Sequence, residues 1–556
     1  MSEKSRQVNQ RKTQSSDRSK MLAGSTWMTA GSIFSRILGA IYIIPWSIWF
    51  ADKYLPANAL YVQGYNVYAT LLIIAIAGIP SAIAKQVAHY NALNEYGVGV
   101  KLYKRGLLLS ITIGIICAGV FFWGAPIFDN DNANVIPVMH SLAWAVLIIP
   151  SMSITRGFFQ GYQDMAPSAI SQFAEQLVRV AYMLLTAYLI MHVMHGNWIT
   201  AVSQSTFAAF VGAVAGFLIL GWYYLRRYNY YHGLVIHSNH KVKVPTKELY
   251  HEIIQQSVPF VILGAGTSIF QLIDQYTFFR CMHMFRNYSS LVINDLYAIF
   301  AGNANKLVMI IISLSSSIAI TVVPLLSKAY THHSKVEIRQ QITNALVLFE
   351  LIMLPSALGM TAIAGPLNRL FYGVSHQRLS ANVLSFYSLV AITFGIFTVV
   401  SAMMQGISQN KRAVKFFCVG VLAKLLFQVP FIAWFGTFGP MLTSAIGFLV
   451  ASGLIIHSMD RQFGINYNQI ARATNGILLC SILVYFEALV MVTIGNRALN
   501  LIINVDGRMG SLIVTILAVM ISGLSYAYCI LRSHLADRIV GSYKARVLRN
   551  KLGIRA

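Results

Sequence analysis

RGFFQGYQDMAPSAISQFAEQLVRV, residues 156–180, decides the fold because its pattern returns 245 residues later. FFQG (158–161) precedes one apolar run and MMQG (403–406) precedes another, and at the same offset Arg179 falls on Lys424. Near offset 243–244, Pro80 aligns with Pro324, Lys85 with Lys328 and His89 with His332. SIFSR (32–36) resembles SIFQL (268–272) at offset 236. Nearly constant offsets are what two duplicated halves with small loop insertions would leave.

The chain around these motifs has 556 residues, 56% hydrophobic and 11% charged. Soluble domains carry about 25% charged residues, so the composition is that of a polytopic membrane protein. Apolar windows of about 20 residues, enough to cross a bilayer, recur at 27–50, 65–88, 104–124, 136–157, 168–191, 199–225, 255–281, 297–325, 342–364, 383–405, 414–434, 438–458, 474–494 and 511–531. The expectation is an all-α polytopic membrane protein with fourteen transmembrane helices. Six spans separate equivalent helices, so the repeat is parallel, about an axis along the membrane normal. Two pseudo-symmetric six-helix lobes are expected at 25–228 and 255–460, joined by a cytoplasmic linker at 229–254. Residues 461–531 form two further helices outside the repeat. Residues 1–24 and 532–556 read as basic cytoplasmic tails, the first with a disordered composition.

The net charge of +24 raises nucleic acid as a partner, and its distribution argues against one. With the N-terminus inside, 31 of the 42 Lys and Arg residues fall on inside segments, six on outside loops and five within spans. That is the positive-inside pattern, which places both termini in the cytoplasm. The basic C-terminal segment then suits anionic lipid headgroups. Cys117, Cys281, Cys418, Cys480 and Cys529 lie singly in apolar runs, which suits neither a disulfide framework nor a metal site. No phosphate-binding GxxxxGK[ST] loop or HExxH is present, and no loop is long enough for a catalytic domain, so an enzyme is not expected.

The five intramembrane cations are Arg36, Arg179, Arg280, Lys306 and Lys424. Each costs about 3 kcal/mol at a bilayer centre, so the first reading is that they bind an anion. Arg36, among Ser32, Ser35 and Gly39, either grips phosphate bidentately or pairs with a carboxylate. Glu175 and Arg179 are spaced i,i+4 and would neutralise each other. Lys424 has Gly420 at that spacing and is expected to be the freer cavity cation. Asp274 is open between a counter-ion for Arg36 and a Na⁺ or H⁺ site. Arg280 and Lys306 lie near the outer ends of their windows, where snorkelling to the interface competes with ligand binding. Glu350 and Glu487 read as structural. Gly78, Pro80 and Pro324 put helix breakers into equivalent helices and are candidate hinges.

GSIFSRILGAIYIIPW (31–46), AGIPSAIAKQVAHYNAL (77–93), TRGFFQGYQDMAPSAISQFAEQLVRV (155–180), FQLIDQYTFFR (270–280) and MMQGISQNK (403–411) resemble the MOP exporter superfamily. Within it they are similar to the polysaccharide-biosynthesis branch that includes stage V sporulation protein B-like proteins and Gram-positive MurJ-type lipid II flippases. The resemblance spans roughly residues 22–530. It implies a V-shaped, MATE-like fold in a bacterial plasma membrane. It also implies translocation of an undecaprenyl-pyrophosphate-linked saccharide, with lipid II foremost, from the inner to the outer leaflet by alternating access. Tyr42 and Ile43 stand where Gram-negative lipid II flippases have an Arg-Asp pair, and Ile73 and Ile74 occupy the region of their second-helix arginines. Only Arg36 carries over from that set, which keeps other wall, teichoic or capsule precursors open as substrates.

The expected driving force is the membrane potential, with Na⁺ or H⁺ coupling an open addition and no other cofactor. Partners are the lipid-linked sugar, anionic lipids and, as a further option, cell-wall synthesis proteins. The rival readings are a MATE-like cation or drug antiporter, a polytopic glycosyltransferase and a wall-synthesis scaffold.

Overall fold

The computed structural model describes residues 38–39, 41–76, 79–129, 132–238, 261–373, 376–499, 507–535, 537 and 542–551. Arg36, Gly78, the first 24 residues and residues 239–254 of the expected linker lie outside them. The described residues form helices and turns, with no strand among them. Two compact units divide the chain at residue 268.

The first unit contains α1 (Ile43–Phe50), α2 (Tyr54–Ile76), α3 (Ile79–Ala92), α4 (Tyr96–Trp123), α5 (Val135–Gly161), α6 (Ala166–Tyr188), α7 (Trp198–Arg226) and α8 (Tyr228–Ile236). The second contains α9 (Gly266–Arg286), α10 (Ser290–Tyr297), α11 (Asn305–Thr331), α12 (Lys335–Ala362), α13 (Ala364–Tyr372), α14 (Gln377–Gly406), α15 (Asn410–Phe435), α16 (Gly439–Phe463), α17 (Tyr467–Leu499), α18 (Arg508–Arg532) and α19 (Ser542–Lys551). Eleven stretches among the described residues are long and apolar enough to span a membrane. One of them, Asn410–Phe463, runs for 54 residues and consists of α15 and α16; another, Ile43–Ile76, joins α1 to α2. Separated at those turns and taken with α9, the series is consistent with fourteen helices.

Each unit is built around one central helix. In the first, α5 packs against α2, α3, α4 and α7; in the second, α14 packs against α11, α12 and α16. The most extensive neighbours of the first unit are α6 and α7, and their counterparts α15 and α16 are likewise closely packed.

The turns repeat as well. Left-handed backbone appears at Ala51 and Asn287, at Asn94 and His333, and at Gln163 and Ser408, at spacings of 236, 239 and 245. Few non-glycine residues adopt this conformation. Behind Gln163, Asp164 N–H bonds back to Phe159 O at 3.1 Å; behind Ser408, Gln409 N–H bonds to Met404 O at 2.8 Å. The same helix-ending hydrogen bond therefore closes both quoted motifs. Their glycine carbonyls, which a helix end leaves without an intrahelical partner, accept from Asn91 Nδ2 at 3.4 Å and Ser327 Oγ at 3.0 Å respectively.

Two boundaries differ from the hydropathy windows. Helix α2 begins at Tyr54, eleven residues early, because Asn58, Gln63 and Asn66 lower its hydropathy yet are buried against protein. Lys53, expected in a loop, is exposed in the short 3₁₀ turn Ala51–Lys53 that joins α1 to α2, in agreement with that reading. Lys306, expected near a helix start, sits 16 residues inside the continuous stretch Ser290–Thr331, which Ser289 caps at its beginning. A π-helical segment, Ala298–Ala304, precedes that lysine. The two candidate hinge prolines also differ. Pro80 is the second residue of α3, where the missing N–H is harmless, whereas Pro324 lies inside an unbroken α11.

The basic C-terminal segment contains an ordered helix. Ala545 of α19 packs with Ile530 and Leu531, and Arg549 donates to Leu531 O at 3.1 Å while pairing with Asp537 at 2.8 Å. The same guanidinium holds the Asp537 carboxyl below its usual value.

Candidate functional site: two cationic centres at equivalent positions

In the second unit, helices α15 and α16 cross in direct backbone contact. A Cβ on Gly420 would lie 2.4 Å from Gly447 O, so glycine is what permits the approach. One turn along α15 stands Lys424, and one turn back along α16 stands Ser444. The Lys424 ammonium donates to Asp274 Oδ1 of α9 at 2.6 Å and to Ser444 Oγ at 2.7 Å. Thr443 Oγ1 lies at 3.4 Å and Pro440 O at 3.5 Å, with the Phe270 ring centre 5.1 Å away. Gln428 donates to the same Asp274 oxygen at 2.9 Å and to Thr277 at 2.8 Å. Lys424 is fully buried and Asp274 nearly so. Charge neutralisation, hydroxyl acceptors and an aromatic face make this a satisfied ion pair.

The first unit repeats the crossing with different chemistry. A Cβ on Gly212 of α7 would lie 2.6 Å from Glu175 O of α6, and Glu175 is the residue equivalent to Gly420. Arg179, equivalent to Lys424, faces tyrosines. Its Nη2 is 3.5 Å from Tyr61 Oη and its guanidinium carbon lies 5.8 Å from the Tyr65 ring centre. Tyr61 stacks on Tyr65 at 5.5 Å, and Tyr65 contacts Tyr68 at 5.3 Å. Arg179 is only half-buried, and it forms no ion pair with a carboxylate among the described residues.

Two expectations are therefore reversed. Glu175 does not neutralise Arg179 one turn away. It pairs with Arg156 of α5 at 2.7 Å, and that arginine also holds Ser171 Oγ at 2.8 Å. Lys424 is not the freer cation, because Asp274 reaches it from 150 residues away in sequence. Asp274 is accordingly the counter-ion of Lys424. The spacing rule failed because it sees only one helix, whereas the partners came from neighbouring helices. Tyr61, Tyr65 and Tyr68 belong to this centre without having been among the expected site residues, and their i, i+4, i+7 spacing, which marks one face of a helix, is the signal for them.

Arg280 is exposed near the C-terminal end of α9. Beyond it, Arg286 anchors that end by donating to Ala433 O and Trp434 O. Lys306 is half-buried on α11; Tyr387 donates to the adjacent Asn305 at 3.2 Å. Glu350 accepts from Thr474 and Glu487 from Ser525, each linking two helices. Among the described residues no group of three or more His, Cys, Asp or Glu side chains could hold a metal ion.

The family model described as "Polysaccharide biosynthesis protein" matches residues 21–330. The lipid II flippase MurJ of Bacillus subtilis is 32% identical over 537 residues, covering 94% of this chain and 97% of that one. The membrane protein YabM of the same organism is 23% identical, covering 92% of each chain. Among solved structures, a lipid II flippase MurJ in an inward closed conformation superposes with a TM-score of 0.61 at 13% identity, covering 91% of this chain and 99% of that one. A multidrug resistance MATE family transporter of the MOP superfamily gives 0.60 at 14% identity, covering 78% and 95%. The chain is a multi-pass membrane protein with the MOP fold and belongs to the polysaccharide biosynthesis protein family.

Proposed function

We propose that the protein is a flippase, not an enzyme, that carries an undecaprenyl-pyrophosphate-linked saccharide from the inner to the outer leaflet of a bacterial plasma membrane. Lipid II is the substrate we favour. The carrying observation is the 32% identity to the Bacillus subtilis lipid II flippase over nearly the whole of both chains. We take residues 25–228 and 255–460 as lobes, 461–531 as an appended helix pair, and both termini as cytoplasmic. The headgroup site would be exposed alternately to either side.

Arg179 is the cation we assign to the pyrophosphate, together with Arg36. A guanidinium with no carboxylate partner among the described residues, set against the Tyr61 hydroxyl and the Tyr65 ring, keeps its charge available for a bidentate contact. Lys306 and Arg280 are secondary candidates, and Lys424 is assigned to structure. Moving about two negative charges outward across an inside-negative membrane releases roughly 4–5 kcal/mol per 100 mV. The potential therefore suffices without nucleotide. Asp274 is already bound to an internal ammonium, which speaks against Na⁺ coupling at that carboxylate.

The test is depletion of the protein in cells, with lipid-linked precursor labelled on the outer leaflet. Accumulation inside with loss outside is expected. Normal pools on both sides would contradict the proposal and favour a scaffold.

A further inference from the structure

In the second unit, with none of the Lys424 centre's residues in its lining, a groove of about 640 Å³ opens between α12 and the start of α17. It is lined by Gln340, Asn344, Asn466, Asn468, Gln469 and Arg472. Five of these six are carboxamides, one is a guanidinium, and none is a carboxylate. Asn466 fixes the wall: its Oδ1 accepts from Gln469 N at 3.2 Å, and its own N–H reaches Thr343 Oγ1 at 3.4 Å. The side chains of Gln340, Asn344, Asn468 and Arg472 form no hydrogen bond or ion pair with another described residue. Their donors and acceptors are thus left for a ligand or water. Because α17 lies outside the duplicated helices, the duplication itself supplies no counterpart of this groove among the described residues of the first unit.

The lining discriminates between ligand classes. A patch for simple anionic lipids gathers several lysines and arginines, each worth about 1 kcal/mol; here there is one. Carboxamides both donate and accept in a plane, which matches sugar hydroxyl and acetamido groups, while the single arginine matches one phosphate. The volume is in the range of sites that hold small molecules, about 300–1,000 Å³. Lys335 and Arg339 at the start of α12 and Arg461 at the end of α16 stay outside this lining and mark the face assigned to the cytoplasm by the charge distribution.

We propose that this groove is a second, peripheral docking site for the saccharide-phosphate headgroup of the lipid-linked substrate, used before the headgroup reaches Arg179. The proposal rests on the flippase reading given above.

The test uses the full chain in nanodiscs, titrated with lipid II as the probe and separately with phosphatidylglycerol. Asn344→Leu combined with Arg472→Ala should weaken lipid II binding at least tenfold and leave phosphatidylglycerol binding unchanged. Asn468→Leu alone, at an exposed position that threatens no packing, should weaken it severalfold. Equal loss for both lipids would overturn the proposal in favour of a general anionic-lipid patch, and unchanged lipid II binding in both variants would overturn it outright. If the unaltered protein bound no lipid II at all, the choice of lipid II as substrate would fail first, and the two failures are thereby told apart.

Discussion

Lys424 and Arg179 occupy the same place in the two halves and have opposite fates, decided by residues that neither helix carries. The Lys424 charge is matched by Asp274 and by hydroxyls of α16. Removing one member of a buried pair strands the other charge and costs about 3–5 kcal/mol, whereas replacing both with apolar residues is often close to neutral. Lys424→Met and Asp274→Leu should each lower stability by that order, and the double variant should recover most of it. Thermal unfolding in detergent measures this; an additive double variant would refute the pairing. For Arg179, the expected outcome is functional. Arg179→Ala should abolish precursor externalisation in cells with the protein still inserted, and Glu175→Gln should leave Arg179's contribution intact. If Glu175→Gln instead reproduced the loss while Arg179→Ala did not, the assignment would be inverted. At this scale the sequence disclosed that positions 179 and 424 correspond. It could not disclose Asp274 as the partner of Lys424, because that contact depends on how three helices pack.

At the scale of elements, two devices carry testable consequences. The first is the glycine crossing. Gly420→Leu would drive a side chain into the backbone of α16, where even a Cβ would stand 2.4 Å from an oxygen. Overpacking of this kind costs about 1–3 kcal/mol or more, and Gly221→Ala, where nothing lies within 4 Å, is the neutral control. Equal unfolding midpoints for the two variants would sink the close-crossing account. The second is the docked helix α19. The Asp537 carboxyl titrates below its unfolded value of about 3.9 because Arg549 is beside it. A lowered folded value means the contribution is present above the unfolded value and is lost as pH falls through the folded one. Protection of residues 545–550 from proteolysis should hold from pH 8 down to about pH 5 and fall away below about pH 4, while Arg549→Ala should remove it at neutral pH. Hydropathy located nearly every span but misplaced the start of α2 and the depth of Lys306. It scores polar side chains as solvent-facing, and Asn58, Gln63 and Asn66 instead face protein. Helix α19 was invisible to it because four of its ten residues are charged and its docking depends on a single apolar alanine and one arginine.

For the whole molecule, the duplicated architecture was legible from motif offsets, and it is written again in the left-handed turns at Ala51 and Asn287, Asn94 and His333, and Gln163 and Ser408. The fold alone does not select a substrate, since flippase and drug-transporter structures superpose almost equally well; sites grafted on a shared fold decide function. The 32% relative and the tyrosine-framed Arg179 favour an anionic lipid-linked cargo over a cationic drug. The most direct measurement is headgroup translocation in vesicles containing only the purified protein and lipid II, read by an enzyme added outside that modifies exposed headgroups. Initially protected headgroups should become accessible faster than in protein-free vesicles, faster still under a potential that drives negative charge toward the enzyme, and at the protein-free rate with Arg179→Ala. Accessibility in vesicles with the unaltered protein that never exceeds the protein-free rate would contradict the account.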